Sequence, residues 1–537
     1  MPDYELYIAS FKWVYFFGIA LMFLSLPIFE AVKNKRIAVL ILFSGVLIFN
    51  LFFAFSDPFL YLWDEQFHAL VAKNMLKNPF YPYLLDGNQL DVASTSWTRN
   101  NIWLHKQPFF LWLIALSFKI FGSTYWALRL PSTILSAMMI LPIYGIGKIA
   151  INKRVGYWAA LFFAASTTFV PMLTGRVNTD HNDAIFGAMV LFSIYYYFKY
   201  LESPKLKFII LLGIFAGFAF LTKWAIGILV FSGWGLNVLI FKENRIKIKS
   251  YFDLAIGFLV MTCVALPWQL YSYFRFREIF LEEFMLNGAH FTNSIEGHRG
   301  PWNYYLEHLN QTIFSTASWY FVIIIVLFII NGMGAKLKPR IALLTYIVLV
   351  YLFFSISATK MPFFTQPVFP LIMVVLAIVL HKIADWLLKL QIRKHKIPLS
   401  AQKLVWVLIP FFVSVRIFNQ DEFLMKPEWR KDIWHNQLIE NQIYKDVAKT
   451  INYPDKTMVF NFPYVGNVRF IFETGIDARD FIPSQSDIQE LKRKHIQIYV
   501  FDHGQLPDYI LDDHKIVKIE SKLWSDGIKQ NGFVLYW

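Results

Sequence analysis

The chain has 537 residues, of which 56% are hydrophobic, 19% aromatic and only 16% charged, with a mean hydropathy of +0.44. A soluble chain carries roughly 25% charged residues, so this balance excludes a soluble globular protein and predicts a polytopic α-helical membrane protein. The formal charge of +14 comes from short Lys/Arg clusters between apolar runs, a pattern that fits loops facing anionic lipid and argues against nucleic acid as a partner.

The N-terminal MPDYELYIASFKW has neither a basic n-region nor a small-residue cleavage site, so no removable signal peptide is expected. Runs long enough to cross a bilayer, about 17–25 residues, lie near 11–30, 37–55, 130–150, 155–172, 183–200, 207–222, 224–241, 251–270, 312–330, 340–357, 364–388 and 402–418. The basic clusters around Lys35, Lys153, Lys205, Lys247, Lys338 and Lys394 alternate with these spans and are expected on the cytoplasmic side. Both termini and the loops 56–129, 173–182, 271–311 and 358–363 then fall outside. The run 108–121 keeps that parity only as a juxtamembrane helix. The chain divides into a transmembrane domain, 1–418, and a tail, 419–537. Short β-branched runs in the tail (TMVFNF, VRFIFE, IQIYVF), bounded by Pro, Gly and Asp, predict a small α/β domain. The one cysteine, Cys263, excludes an intramolecular disulfide. No Walker loop, GxGxxG fingerprint or Cys/His zinc pattern is present, so no nucleotide cofactor is expected.

Polar residues collect at four places on the expected outer face. Asp64, Glu65, His68, His105 and Lys106 flank the first outer loop. Arg176, Asp180, His181 and Asp183 lie in the turn TGRVNTDHND. Arg275, Arg277, Glu282, Glu283, His290, His298 and Arg299 lie in the long loop, and Lys360 lies in ATKMPFF. Together they supply carboxylates for base work, cations for a phosphate and imidazoles that suit a divalent metal.

The order of these motifs (span, Asp-Glu pair, HKQP, RLPS-led span, GRxNTD turn, GAHF loop, ATKMPFF) resembles the bacterial branch of the dolichyl-phosphate-mannose protein mannosyltransferase superfamily, and in particular the aminoarabinose lipid A transferases, over roughly residues 37–390. The resemblance implies a C-type glycosyltransferase fold of about 12 transmembrane helices, with the tail as an extracytoplasmic domain. It implies an inverting enzyme of the inner membrane, taking its sugar from a polyprenyl-phosphate donor. The acceptor would be a lipid, a protein or an envelope glycan. A lipid-linked sugar flippase is the alternative reading, although such proteins place their charges near the membrane midplane. By resemblance, Asp64 matches the essential acidic residue, followed by Glu65. Lys106 would contact the carrier phosphate, with Lys360, Arg275, Arg277 or Arg299 as further cations. Asp180 matches a second catalytic acid, with Asp183 as the competing alignment. His105 and His290 match two metal-site positions. Gln107, Ala289 and Phe364 depart from the family's Pro, Glu and Tyr.

Overall fold

The computed structural model of the chain describes residues 4–87, 89–90, 96–176, 181–314, 336–394, 399–418, 428–463 and 465–520. The apolar runs form helices, as they must in hydrocarbon, where the backbone has to satisfy its own hydrogen bonds. Helices α1 (Tyr4–Ala31) and α2 (Lys35–Phe55) make a hairpin in which the Asn34 side chain accepts the Arg36 backbone N–H. Their backbones meet at glycines, since a Cβ on Gly45 would stand 2.8 Å from the Met22 nitrogen. A short α3 (Asp64–Asn74) and then α4 (Pro108–Phe121) follow. With 14 residues α4 is about 21 Å long, short of a hydrocarbon core of about 30 Å.

Helices α5 (Tyr125–Met138) and α6 (Ile140–Ala150) run on as one span, and α7 (Lys153–Ala165) ends at Ser166 in a 3-10 turn. The chain continues through α8 (His181–Glu202), α9 (Leu206–Lys223), α10 (Leu229–Ile240), α11 (Ile248–Arg275), α12 (Arg277–Thr292) and α13 (Tyr304–Phe314). The last helices of the bundle are α14 (Leu337–Ile356), α15 (Phe369–Lys394) and α16 (Leu399–Ile417). Among the described residues eight helices are long and apolar enough to cross a bilayer. Of the remaining four runs in the twelve-span expectation, 155–172 is broken after Ala165, 224–241 opens as a 3-10 turn, most of 312–330 lies outside the described residues, and 402–418 forms α16, which is not among the eight.

Connections between helices gather at two ends of the bundle. At one end Arg154 pairs with Glu30, Lys336 donates to the Ile151 carbonyl, Lys338 pairs with Glu243, and Tyr200 donates to Asp253. These are the basic loops expected on one side of the membrane. The opposite end carries α3, α12 and the polar turns.

The tail begins with α17 (Glu428–Lys449) and continues as β1 (Thr457–Phe460), α18 (Gly466–Thr474), β2 (Asp477–Ala478), α19 (Gln485–Arg493), β3 (Gln497–Asp502) and β4 (Ile516–Glu520). The strands form one parallel sheet in the order β2-β1-β3-β4. This domain sits on the connection between α2 and α5. Leu90 enters the hydrophobic cluster of Met458, Ile498 and Val500, Arg99 pairs with Asp480, and Arg479 donates to the Asp86 carbonyl.

Candidate active site

Helix α3 starts abruptly. Trp63, just before it, has φ +74°, a conformation that is costly for a bulky side chain and is held only when the surroundings impose it. What imposes it is the next residue but one. Glu65 is fully buried and accepts from Arg129 Nε at 2.8 Å, Arg129 Nη2 at 3.0 Å and the Tyr61 backbone N–H at 2.6 Å. His181 Nε2 stands 3.2 Å from the same carboxylate, and its Nδ1 lies 3.1 Å from Ser132 Oγ. Arg129, also fully buried, spends its other N–H groups on the carbonyls of Ala54, Asp57 and Phe59. Gly175, at φ +68°, closes the chamber, since a Cβ there would lie 2.5 Å from Glu65 Cδ. Burial pushes the Glu65 carboxyl up, but Arg129 and then His181 outweigh it and hold the group below its usual range.

Asp64, by contrast, lines a cavity of about 240 Å³. Trp63, Trp97, His105 and Lys106 come from the connection between α2 and α4, and Asn182 and Asp183 from the start of α8. Lys223 and Trp224 stand at the end of α9, and Asn287 and His290 lie on α12. His105 is stacked on Trp97 at 4.3 Å, and its Nδ1 lies 3.0 Å from Glu283 Oε2. Burial raises the Glu283 carboxyl to about 7, against the pull of Lys106, and the same burial lowers His105 well below its ordinary value. His290 is lowered to about 4 by burial and then by Lys106. The turn 358–360 is stitched to the far wall by backbone hydrogen bonds to Phe291, His290 and His298.

The structure therefore gathers Asp64, Lys106, His105 and His290 around one cavity and leaves other expected residues elsewhere. Glu65 is sealed behind the wall and anchors rather than lines it. Lys360 is buried and donates to the carbonyls of Phe354, Ser355 and Ser357, capping the end of α14. Arg275, Arg277 and Arg299 are exposed and do not line the cavity. Asp180 lies outside the described residues, while its competitor Asp183 lines the cavity and pairs with Lys223. Among the described residues no group of three or more His, Cys, Asp or Glu side chains is arranged to hold a metal ion, while His105 and His290 line the same cavity. Lys223 was not singled out in the sequence. Its signal was an ionisable residue inside a nearly continuous apolar stretch, which usually marks function.

The chain thus combines a bundle of spanning helices, a polar cavity at one end and a small parallel α/β domain docked beside it. Solved structures share this architecture. ArnT from Cupriavidus metallidurans in the apo state superposes with a TM-score of 0.59 at 13% identity, covering 86% of this chain and 89% of that one. The archaeal oligosaccharyltransferase AglB from Archaeoglobus fulgidus, in complex with an inhibitory peptide and a dolichol-phosphate, gives 0.51 at 12% identity, over 85% and 69%. Residues 105–268 match the family described as dolichyl-phosphate-mannose-protein mannosyltransferase. Relatives include the undecaprenyl phosphate-alpha-4-amino-4-deoxy-L-arabinose arabinosyl transferase of Pseudomonas savastanoi pv. phaseolicola, 26% identical over 49% of each chain. An uncharacterized protein of Aquifex aeolicus is 26% identical over 58% of each chain. The chain thus spans about half the length of the curated relatives it matches. Its residues 105–268 are thus similar to the dolichyl-phosphate-mannose-protein mannosyltransferase family.

Proposed function

We propose that this protein is an inverting glycosyltransferase that moves a sugar from a polyprenyl-phosphate carrier to an acceptor on the outer side of the inner membrane. The observation that carries the reading is one cavity, at one end of a spanning bundle, with a carboxylate (Asp64) and an ammonium group (Lys106) on its wall. The family match and the shared fold support it. So does the Cupriavidus ArnT structure bound to undecaprenyl phosphate, which has a TM-score of 0.58 at 12% identity over 91% of this chain and 90% of that one.

In the proposed reaction an acceptor oxygen attacks the anomeric carbon from the face opposite the phosphate. Its proton passes to Asp64, the carbon–oxygen bond to the phosphate breaks, and the carrier monophosphate leaves with that electron pair. A leaving monophosphate needs charge stabilisation where its charge grows. On this reading Lys106 gives it, and Lys223 is a second cation on the cavity wall. A lipid, protein or envelope glycan acceptor suits the same chemistry. Purified protein given a radiolabelled polyprenyl-phosphate sugar and cell-envelope extract is expected to release free carrier phosphate and label an acceptor. Binding without turnover, with transbilayer movement of the label, would favour the flippase alternative.

A further inference from the structure

His181 belongs to the turn TGRVNTDHND, and the proposed reaction leaves it without a task. Its ring is fully buried, so nothing held in the cavity can touch it. A helix turns about 100° per residue, so side chains two positions apart on α8 point about 200° apart. Asp183 therefore faces the cavity, while His181 faces the packed interior behind the wall. One step of the same rotation separates Asp64, on the wall, from Glu65, sealed behind it. The two hidden residues meet. His181 Nε2 lies 3.2 Å from Glu65 Oε1, and Nδ1 lies 3.1 Å from Ser132 Oγ on α5. A carboxylate only accepts, so Nε2 carries the shared hydrogen, and the Ser132 hydroxyl on Nδ1 fixes that tautomer. Arg129 ties Glu65 to α5 and to the end of α2, and none of these partners belongs to α8. His181 thus joins α3, α5 and α8 at one point, and α3 and α8 each carry a carboxylate of the cavity. Glu65 has no room to shift within this knot, because Gly175 packs against its carboxylate.

We propose that His181 is a positioning residue: through its Nε2 bond to Glu65 it sets where the Asp64 carboxylate stands relative to the Asp183–Lys223 pair, a role that rests on the transferase reading above. A base and a leaving-group cation work together only at the right separation, and a misplacement of about 1 Å can cost about 10²-fold in rate. Groups that hold reacting side chains in place do so best when their own bonds lock them. A flat ring with a nitrogen on each of two edges meets that need, because it fixes the direction of two partners at once. The start of α3 also needs such a lock. Trp63, at φ +74°, is held away from relaxed backbone, and a strained segment relaxes when a restraint beside it is removed. Asp64 is the next residue and would move with it.

The test compares two substitutions that each keep one half of the ring's bonding. In His181→Gln the side-chain amide N–H reaches the place of Nε2, whereas in His181→Asn it reaches only that of Nδ1. The full chain in lipid nanodiscs is given a radiolabelled polyprenyl-phosphate sugar and cell-envelope extract. For His181→Asn, kcat is expected to fall about 10–10²-fold. His181→Gln should keep a kcat near the parent's, and both variants should bind undecaprenyl phosphate as the parent does. A parent-like kcat in His181→Asn, or an equal loss in both variants, overturns the role. So does a loss of carrier binding in step with kcat, which marks a structural part only. If His181→Asn does not fold, Gly175→Ala decides, since a Cβ there would stand 2.5 Å from Glu65 Cδ and displace that carboxylate from behind. Its kcat should fall with carrier binding kept, and an unchanged kcat overturns the role. A parent that never turns over overturns the transferase reading and the role with it. Parental turnover to which the variants are indifferent overturns the role alone.

Discussion

Asp64 and Glu65 are adjacent in the chain and opposite in circumstance, because consecutive residues at a helix start point in different directions. One lines the cavity, while the other is held by Arg129, His181 and the Tyr61 amide. On the proposed reaction, Asp64→Asn keeps the shape and removes the base. Transfer should fall by about 10²–10⁴-fold with carrier binding retained, whereas Lys106→Ala should weaken carrier binding itself. Equal turnover by Asp64→Asn and the parent at matched protein would move the base elsewhere, with Asp183 next. For Glu65 the expectation concerns the fold. Arg129→Met strands a buried carboxylate and should cost about 3–5 kcal/mol in detergent-solubilised unfolding, whereas the double change Arg129→Met, Glu65→Gln should recover a large part of it. If the double variant is no more stable than Arg129→Met, the two residues do not act as a pair. The acidic pair was legible in the sequence as a feature, but its division of labour was not. Nothing in Asp-Glu says which carboxylate meets an arginine 64 positions away.

At the scale of elements, the apolar helices could be read because hydrophobic length is itself the signal for a span. The ends of spans could not. Lys360 reads like a cation in an outer turn, yet it closes α14 by giving its ammonium hydrogens to three carbonyls. Lys223 reads like a boundary charge, yet it reaches the cavity. Such outcomes depend on which helix comes alongside, and no local pattern encodes that. Helix α3 carries a pH signature of its own. His68 is fully buried, and burial lowers it to about 4 from an ordinary 6.5. Because the folded-state value is depressed, the unfolded chain takes up the proton first. Stability is therefore complete above about pH 6.5 and is lost as the pH falls toward 4, by an amount of order 3 kcal/mol. His290 shifts in the same direction. Glu283, raised to about 7, has the opposite slope, and its hydrogen-bonded partner His105 offsets it. The thermal midpoint should therefore drop between pH 6.5 and 4.5, and His68→Gln should flatten the drop. An unchanged slope in that variant would remove His68 as its source.

For the whole molecule, the docked tail fixes which parts of the chain share a side of the membrane. Lys73 on α3 donates to the Phe472 carbonyl at 2.5 Å, Tyr125 donates to Glu473 at 2.7 Å, and Lys494 donates to the Gln89 carbonyl at 2.9 Å. Phe472 also joins the bundle's own hydrophobic cluster with Phe67 and Phe118. Contacts this direct cannot form across a bilayer, so the α/β domain and the first outer loop must lie together. The cavity binds α12 to the same side, because His290 and Glu296 line it along with Asp64. The opposite end holds the Lys338–Glu243 and Arg154–Glu30 pairs, and its excess of lysine and arginine is the kind that stays cytoplasmic. Periplasmic-phosphatase fusions in a bacterial host should therefore be active after Gly87, Glu296 and Glu520, and inactive after Asn244 and Lys382. Activity at Asn244 and Lys382 with silence at the other three would keep this fold and invert it in the membrane. Activity at Gly87 with silence at Glu520 contradicts the docking itself, because the Lys73, Tyr125 and Lys494 contacts would then have to cross the hydrocarbon core.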